Sequence, residues 1–144
     1  MPLPERLQRI VDLFASSPKQ IKLQALLDYS ERLPRIPPEL ADHEAMEQVH
    51  ECQTPFFLAT RVEDDGTVHM WFEAPRQAPT TRGYAGIIAA GLDGLPAGEI
   101  LAVPDHFYVD LGLEEAVSAQ RLRGMGAIMH RLKRQIREQV PAAS

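Results

Sequence analysis

One cysteine, Cys52, is the only thiol in a chain of 144 residues, and that scarcity excludes an internal disulfide. Metal ligands in paired, short-range spacing are also lacking. The five histidines are scattered, so no metal site is predicted. No apolar run approaches the roughly 20 residues that a membrane span needs. The stretch "MPLPERLQRIVDLF" lacks the long apolar core of a signal peptide. A cytoplasmic protein with a reduced thiol and no membrane partner is the expectation. Basic charge is in deficit, with 15 Lys and Arg against 20 Asp and Glu. The molecule as a whole therefore repels nucleic acid, and no nucleic-acid partner is expected. The glycines of "RGYAG", "GLDGLPAG" and "RGMG" fit neither a P-loop nor a dinucleotide fingerprint, and read as packing and turn residues.

What the chain does have is the composition of a folded protein, 44% hydrophobic and 24% charged, at the length of one domain spanning residues 1–144. Leu7, Ile10, Val11 and Phe14 recur at helical spacing. "SSPKQIKLQALLDY" then predicts a second helix, with Ser17 as N-cap, Gln20 closing a capping box, and Leu23, Leu26 and Leu27 facing inward. "RLPRIPPEL" breaks that helix, and Pro38 starts a short helical turn. After Pro55 the period changes to two. Phe56, Leu58, Thr60 and Val62 form one face of a strand, "EDDG" supplies a hairpin turn, and Val68, Met70 and Phe72 return. A third strand near Arg76 is compatible with the pattern. Tyr84, Ile87, Ile88 and Leu92 predict a further helix, "DHFYVDLGL" a short one, and Ser118 caps the longest. In that last helix Leu122, Met125, Ile128, Met129, Leu132, Ile136 and Val140 keep steps of three and four. Its opposite face is basic: six Lys or Arg and one acid lie between Ala119 and Val140, leaving about ten net negative charges on the remainder. The fold class is α+β, a small antiparallel sheet flanked by N-terminal helices and a long C-terminal helix.

Cys52 lies in "EQVHECQTPFFLATRV". In an extended segment His50 and Cys52 would point the same way, an arrangement compatible with a Cys-His hydrolase. Glu51 argues against it, because a carboxylate beside a thiol disfavours the thiolate unless a cation compensates. No oxyanion-hole element is recognisable, and His50 reads as an ordinary loop histidine. A core cysteine remains the bland alternative.

Four ordered blocks carry a resemblance over nearly the whole chain. "LLDYSERLPRIPPEL", "VHECQTPFFL", "TTRGYAGIIAAGLDGLPAGEIL" and "LGLEEAVSAQRLRGMGAIMHRLK" resemble, in order, the characteristic segments of the SufE family of sulfur acceptors. The resemblance implies a SufE-like fold and Cys52 as the residue that receives sulfane sulfur. The donor it implies is the persulfide of a SufS-type cysteine desulfurase, and the recipient is an iron-sulfur scaffold complex. It implies an accessory protein rather than an enzyme, without a cofactor of its own, since pyridoxal phosphate belongs to the partner. It places Arg121 at the family's arginine position, with Arg121, His50 and Glu51 as candidate supporting or partner-contacting residues. Arg82 also matches, with a structural role as the alternative. Two departures stand out: Glu51 replaces the family's glycine before the cysteine, and Leu122 and Arg123 replace Ser-Asn.

From this follow the expectations that Phe56, Phe57 and Leu58 edge a pocket for the sulfur, and that the Cys52 loop moves outward when a desulfurase docks. The competing classes are a stand-alone Cys-dependent sulfurtransferase and a non-catalytic desulfurase-binding adaptor. A monomer is expected, because the pattern leaves no long apolar helix face unexplained.

Overall fold

A computed structural model describes residues 3–140. Pro4, with φ fixed near the helical value, precedes helix α1 (Glu5–Ala15), which buries Leu7, Ile10, Val11 and Phe14 as the spacing predicts. Helix α2 (Lys19–Ser30) follows after Pro18. Ser17 does not cap it. Its hydroxyl donates instead to the Leu13 carbonyl at 2.6 Å, closing the end of α1, and Pro18 takes the N-cap position. The inner face of α2 also differs from expectation, for it buries Lys22, Leu26 and Ser30. Leu23 and Leu27 point outward and, with Leu13 and Ile21, remain exposed. The reason is that the polar members of the inner face are satisfied: Lys22 pairs with Glu115, and the Ser30 hydroxyl donates to the Leu27 carbonyl at 2.6 Å. An apolar strip therefore does lie open along α1 and α2.

The sheet has three antiparallel strands in the order β1 (Glu47–Gln48), β2 (Phe57–Val62) and β3 (Val68–Glu73). The third strand lies upstream of the hairpin rather than near Arg76. Glu47 pairs with Leu58 and Gln48 with Phe57, while the β2–β3 register runs from Phe57 opposite Glu73 to Val62 opposite Val68. Gly66, at φ 90°, makes the turn that "EDDG" predicts. Phe56, Leu58, Val68, Met70 and Phe72 enter the core.

Helix α3 (Pro79–Leu92) packs against α2 at backbone distance. A Cβ on Gly83 or Gly86 would lie 2.2 Å from the Leu26 or Tyr29 carbonyl oxygen, so both positions require glycine. Helix α4 (Ala97–Leu101) follows in "PAGEIL", where the sequence predicts only turn glycines. The helix expected in "DHFYVDLGL" resolves into single 3₁₀ turns at Phe107–Val109 and Leu113–Glu115, broken by Gly112 at φ 74°. Helix α5 (Ala119–Gln139) is capped by Ser118, whose oxygen accepts from the Arg121 amide at 3.3 Å.

The predicted apolar face of α5 is buried from Met125 to Ile136. Its polar face is not simply solvated. Gln135 donates to Glu47, Gln139 donates to Thr60, and Arg131 and Arg134 both pair with Glu47. Lys133 is buried, donating to the Val103 carbonyl and pairing with Asp105 at 2.7 Å. Three of the six basic side chains of α5, Arg131, Lys133 and Arg134, thus hold the sheet and the loops beside it. No helix among the described residues is long and apolar enough to cross a membrane.

Candidate functional site around Cys52

Cys52 sits in the loop that joins β1 to β2. The Val49 amide donates to the Phe56 carbonyl at 2.8 Å, closing the loop at its base, and the Cys52 amide donates to the Val49 carbonyl at 3.1 Å. Val49 and Phe56 are fully buried, so both roots of the loop are fixed in the core. Between them His50, Glu51, Gln53 and Pro55 are exposed, while Cys52 and Thr54 are half-buried. A turn at His50 and Glu51 replaces the extended geometry that would align His50 with Cys52. His50 makes no hydrogen bond to the thiol, so a Cys-His pair is not assembled.

The sulfur lies against α5. A Cβ added at Gly124 would come within 3.1 Å of Cys52 Sγ and 3.5 Å of its Cα, so the glycine opens the niche in which the thiol rests. Beside it is a cavity of about 60 Å³ lined by Cys52, Gln53, Thr54, Gln77, Ala78, Thr81, Gln120, Arg121 and Gly124. A single water needs only about 10–15 Å³ by a comparable measure, so one further sulfur atom on Sγ has room. The expected apolar rim is absent. Phe56 and Leu58 face the core, Phe57 lies on the other side of β2, and the cavity is lined mainly by polar side chains.

Arg121 does reach this cavity, from the first turn of α5. Its side chain makes one long contact, 3.4 Å from Nη1 to Thr80 Oγ1, and is otherwise exposed. Arg82 does not belong to the site. It donates to the carbonyls of Ser30, at 2.8 Å, and Ala74, tying the end of α2 to the β3–α3 connection.

Glu51 is the one loop carboxylate beside the thiol, and the structure supplies its counter-charge. Arg131 Nε and Nη2 both donate to Glu51 Oε1, at 3.1 and 2.9 Å, while Nη1 donates to Glu47 Oε2 at 2.7 Å. Burial alone would raise both carboxyls. Glu51 is held below its ordinary value by a backbone hydrogen bond and then by Arg131, and Glu47 by hydrogen bonds from Gln135 and Arg131 and by the charge of Arg134. The Cys52 thiol is pushed up to about 11, chiefly by burial and next by the Glu51 charge, with Arg131 opposing. In this conformation the sulfur is stored as a thiol. Sequence patterns do not single out Arg131, and mark Gly124 only as one of the packing or turn glycines of "RGMG". The faint signal is their spacing, two helical turns apart on one face of α5, which becomes meaningful only once the loop is seen to pack there. Among the described residues no group of three or more His, Cys, Asp or Glu could hold a metal ion.

The family model named SufE, described as an Fe-S metabolism associated domain, matches residues 8–136. An uncharacterized SufE-like protein of Mycobacterium tuberculosis is 50% identical over 136 residues, 94% of each chain. A cysteine desulfuration protein SufE of Plasmodium vivax is 26% identical over 134 residues, 91% of this chain and 52% of that one. The solution structure of a hypothetical protein from Thermus thermophilus is similar at a TM-score of 0.86 and 40% identity, covering 98% of this chain and 100% of that one.

Proposed function

The chain belongs to the SufE family, and from that membership we propose that it serves iron-sulfur metabolism as a sulfur acceptor, with Cys52 as the residue that carries the sulfur. The donor is a cysteine desulfurase bearing a persulfide, and the recipient is an iron-sulfur scaffold. The observation that carries the reading is the seat of Cys52: a lone thiol on a loop rooted in the core, resting on Gly124 beside a cavity with room for one more sulfur.

In the transfer step the Cys52 thiolate attacks the outer sulfur of the donor persulfide. A new S–S bond forms at Sγ, the donor S–S bond breaks, and its electron pair leaves with the donor cysteine as thiolate. The outer sulfur keeps its proton or releases it to solvent, and no external oxidant or reductant is needed. One thiol suffices. A second cysteine nearby could resolve the persulfide to a disulfide and lose the sulfur.

The closed loop is not the reacting conformation. A thiol whose pKa is about 11 is thiolate in only roughly one molecule in ten thousand at pH 7. Moving Cys52 outward removes the burial that suppresses ionisation and brings Sγ within reach of the donor. The cavity then receives the persulfide when the loop returns, shielding it from oxidants. Cleavage of the carbon–sulfur bond, and the pyridoxal phosphate that performs it, belong to the desulfurase.

The test is intact-mass measurement after incubation with a cysteine desulfurase and isotopically labelled cysteine. One added sulfur on wild type and none on Cys52→Ser is the expected result. Sulfur taken from thiosulfate with no desulfurase present would replace this reading with a stand-alone sulfurtransferase. Full desulfurase stimulation by Cys52→Ser would replace it with an adaptor.

A further inference from the structure

The loop that carries Cys52 is fastened by one side chain. Between His50 and Pro55, Glu51 forms an ion pair to Arg131, and no other side chain in that span makes a hydrogen bond or ion pair among the described residues. Arg131 would stay in place without it. Its Nη1 is held at 2.7 Å by Glu47, which is fixed in β1 by pairing with β2 and is also gripped by Arg134 and Gln135. The two carboxylates differ in exposure, 23% for the Glu47 side chain and 47% for Glu51. Arg131 is therefore a preorganised anchor, with one permanent partner on the sheet and one releasable partner on the loop. Two turns back along the same helix, Gly124 provides the seat into which the loop is drawn.

We infer that Arg131 is a positioning residue that latches the sulfur-bearing loop: through Glu51 it holds Cys52 in its niche on α5, and outward movement of the sulfur requires the Arg131–Glu51 pair to part. This rests on reading Cys52 as the acceptor and adds what controls its exposure. It also gives a role to the carboxylate next to the thiol, which would otherwise only hinder ionisation. A docking protein can open such a latch by offering either charged group a competing partner of opposite sign.

Charge and latch make different forecasts, which permits a clean test. Were Arg131 and Glu51 acting only through charge on the thiol, Arg131→Gln would slow alkylation of Cys52 and Glu51→Gln would speed it. A latch makes both variants faster, because each frees the loop. The experiment measures iodoacetamide alkylation of Cys52 at pH 8 in wild type, both single variants and the double variant, with hydrogen exchange over residues 49–55 in parallel. Release of a partly exposed ion pair predicts a rise of about two- to fivefold in each single variant. The double variant should be no faster than the faster single one, with exchange rising in step. Slowed or unchanged alkylation in Arg131→Gln overturns the latch. Glu51→Gln alters only an exposed loop side chain, and faster alkylation there fits both forecasts. If Arg131→Gln folds poorly, the latch is tested by the hydrogen exchange of Glu51→Gln over residues 49–55, and unchanged exchange overturns it. No desulfurase enters these measurements. If wild type gains labelled sulfur but neither variant alters exposure, the latch fails and the acceptor reading stands. Faster alkylation in both variants with no sulfur gained by wild type sinks the acceptor reading alone.

Discussion

Gly124 and Cys52 meet where α5 crosses the β1–β2 loop, so closely that a Cβ on the glycine would stand 3.1 Å from the sulfur. The loop is the softer partner in that contact, since its backbone is held at the base and α5 is continuous. Gly124→Ala should therefore displace the thiol rather than the helix. Alanine favours the helix interior by about 0.5–1 kcal/mol over glycine, which offsets the tighter contact. The expected outcome is a melting temperature close to wild type with markedly faster alkylation of Cys52. A steep loss of stability with unchanged alkylation would show the loop to be rigid.

Burial of the thiol makes a second prediction, on pH. The folded protein holds the Cys52 proton up to about 11, against an ordinary value of 9.0. Alkylation of native protein should keep rising with pH above 9, whereas urea-unfolded protein levels off. Near pH 8 the native rate should be about 100-fold below the unfolded one, the ratio of thiolate fractions for a two-unit difference. The stability linkage has the same sign: a raised pKa favours the closed loop fully below pH 9 and loses that contribution as pH rises toward 11. A native profile that levels off at 9 would mean that the loop is already open.

Arg82 supplies a prediction about the frame rather than the sulfur. Its guanidinium satisfies the Ser30 and Ala74 carbonyls from near the start of α3. Arg82→Met keeps the length and removes both donors, at a cost of about 2 kcal/mol. The expected signature in urea titration is a lowered midpoint with an unchanged slope, and an alkylation rate at Cys52 that stays near wild type in the absence of urea.

These residues also mark where sequence reading stops. The apolar face of α5 is legible because Met125, Ile128, Met129, Leu132 and Ile136 repeat at the helical period and all are buried. The β2–β3 hairpin is legible from its alternation and from Gly66. Strand β1 is not, since "EQ" has no period and is a strand only because Leu58 and Phe57 lie opposite. The inner face of α2 misleads because Lys22 scores as polar. Its partner Glu115 comes from the far half of the chain, and only that pairing makes its burial tolerable. Glu51 misleads in the same way. Read locally it is a charge that hinders the thiol, and its meaning depends on Arg131, which sequence distance hides.

Arg121 offers the most direct probe of the cavity. It approaches from the first turn of α5, borders the space beside Sγ, and is held by nothing stronger than a 3.4 Å contact to Thr80. A guanidinium so lightly tethered contributes little to the fold, so Arg121→Ala should melt close to wild type. A persulfide is a stronger acid than a thiol and is anionic near neutral pH, and Arg121 lines the space the outer sulfur would fill. One charge-assisted hydrogen bond there is worth about 1.5 kcal/mol, roughly tenfold in equilibrium. The variant should therefore accept sulfur from the desulfurase but hold it less well. Intact mass followed over time would show Cys52 persulfide decaying several-fold faster than in wild type once excess cysteine is removed. Arg121→Lys should recover part of the lifetime, because the charge remains while the planar donor set is lost. Equal persulfide lifetimes in wild type and Arg121→Ala would remove Arg121 from the site and leave it as an exposed residue of the helix start.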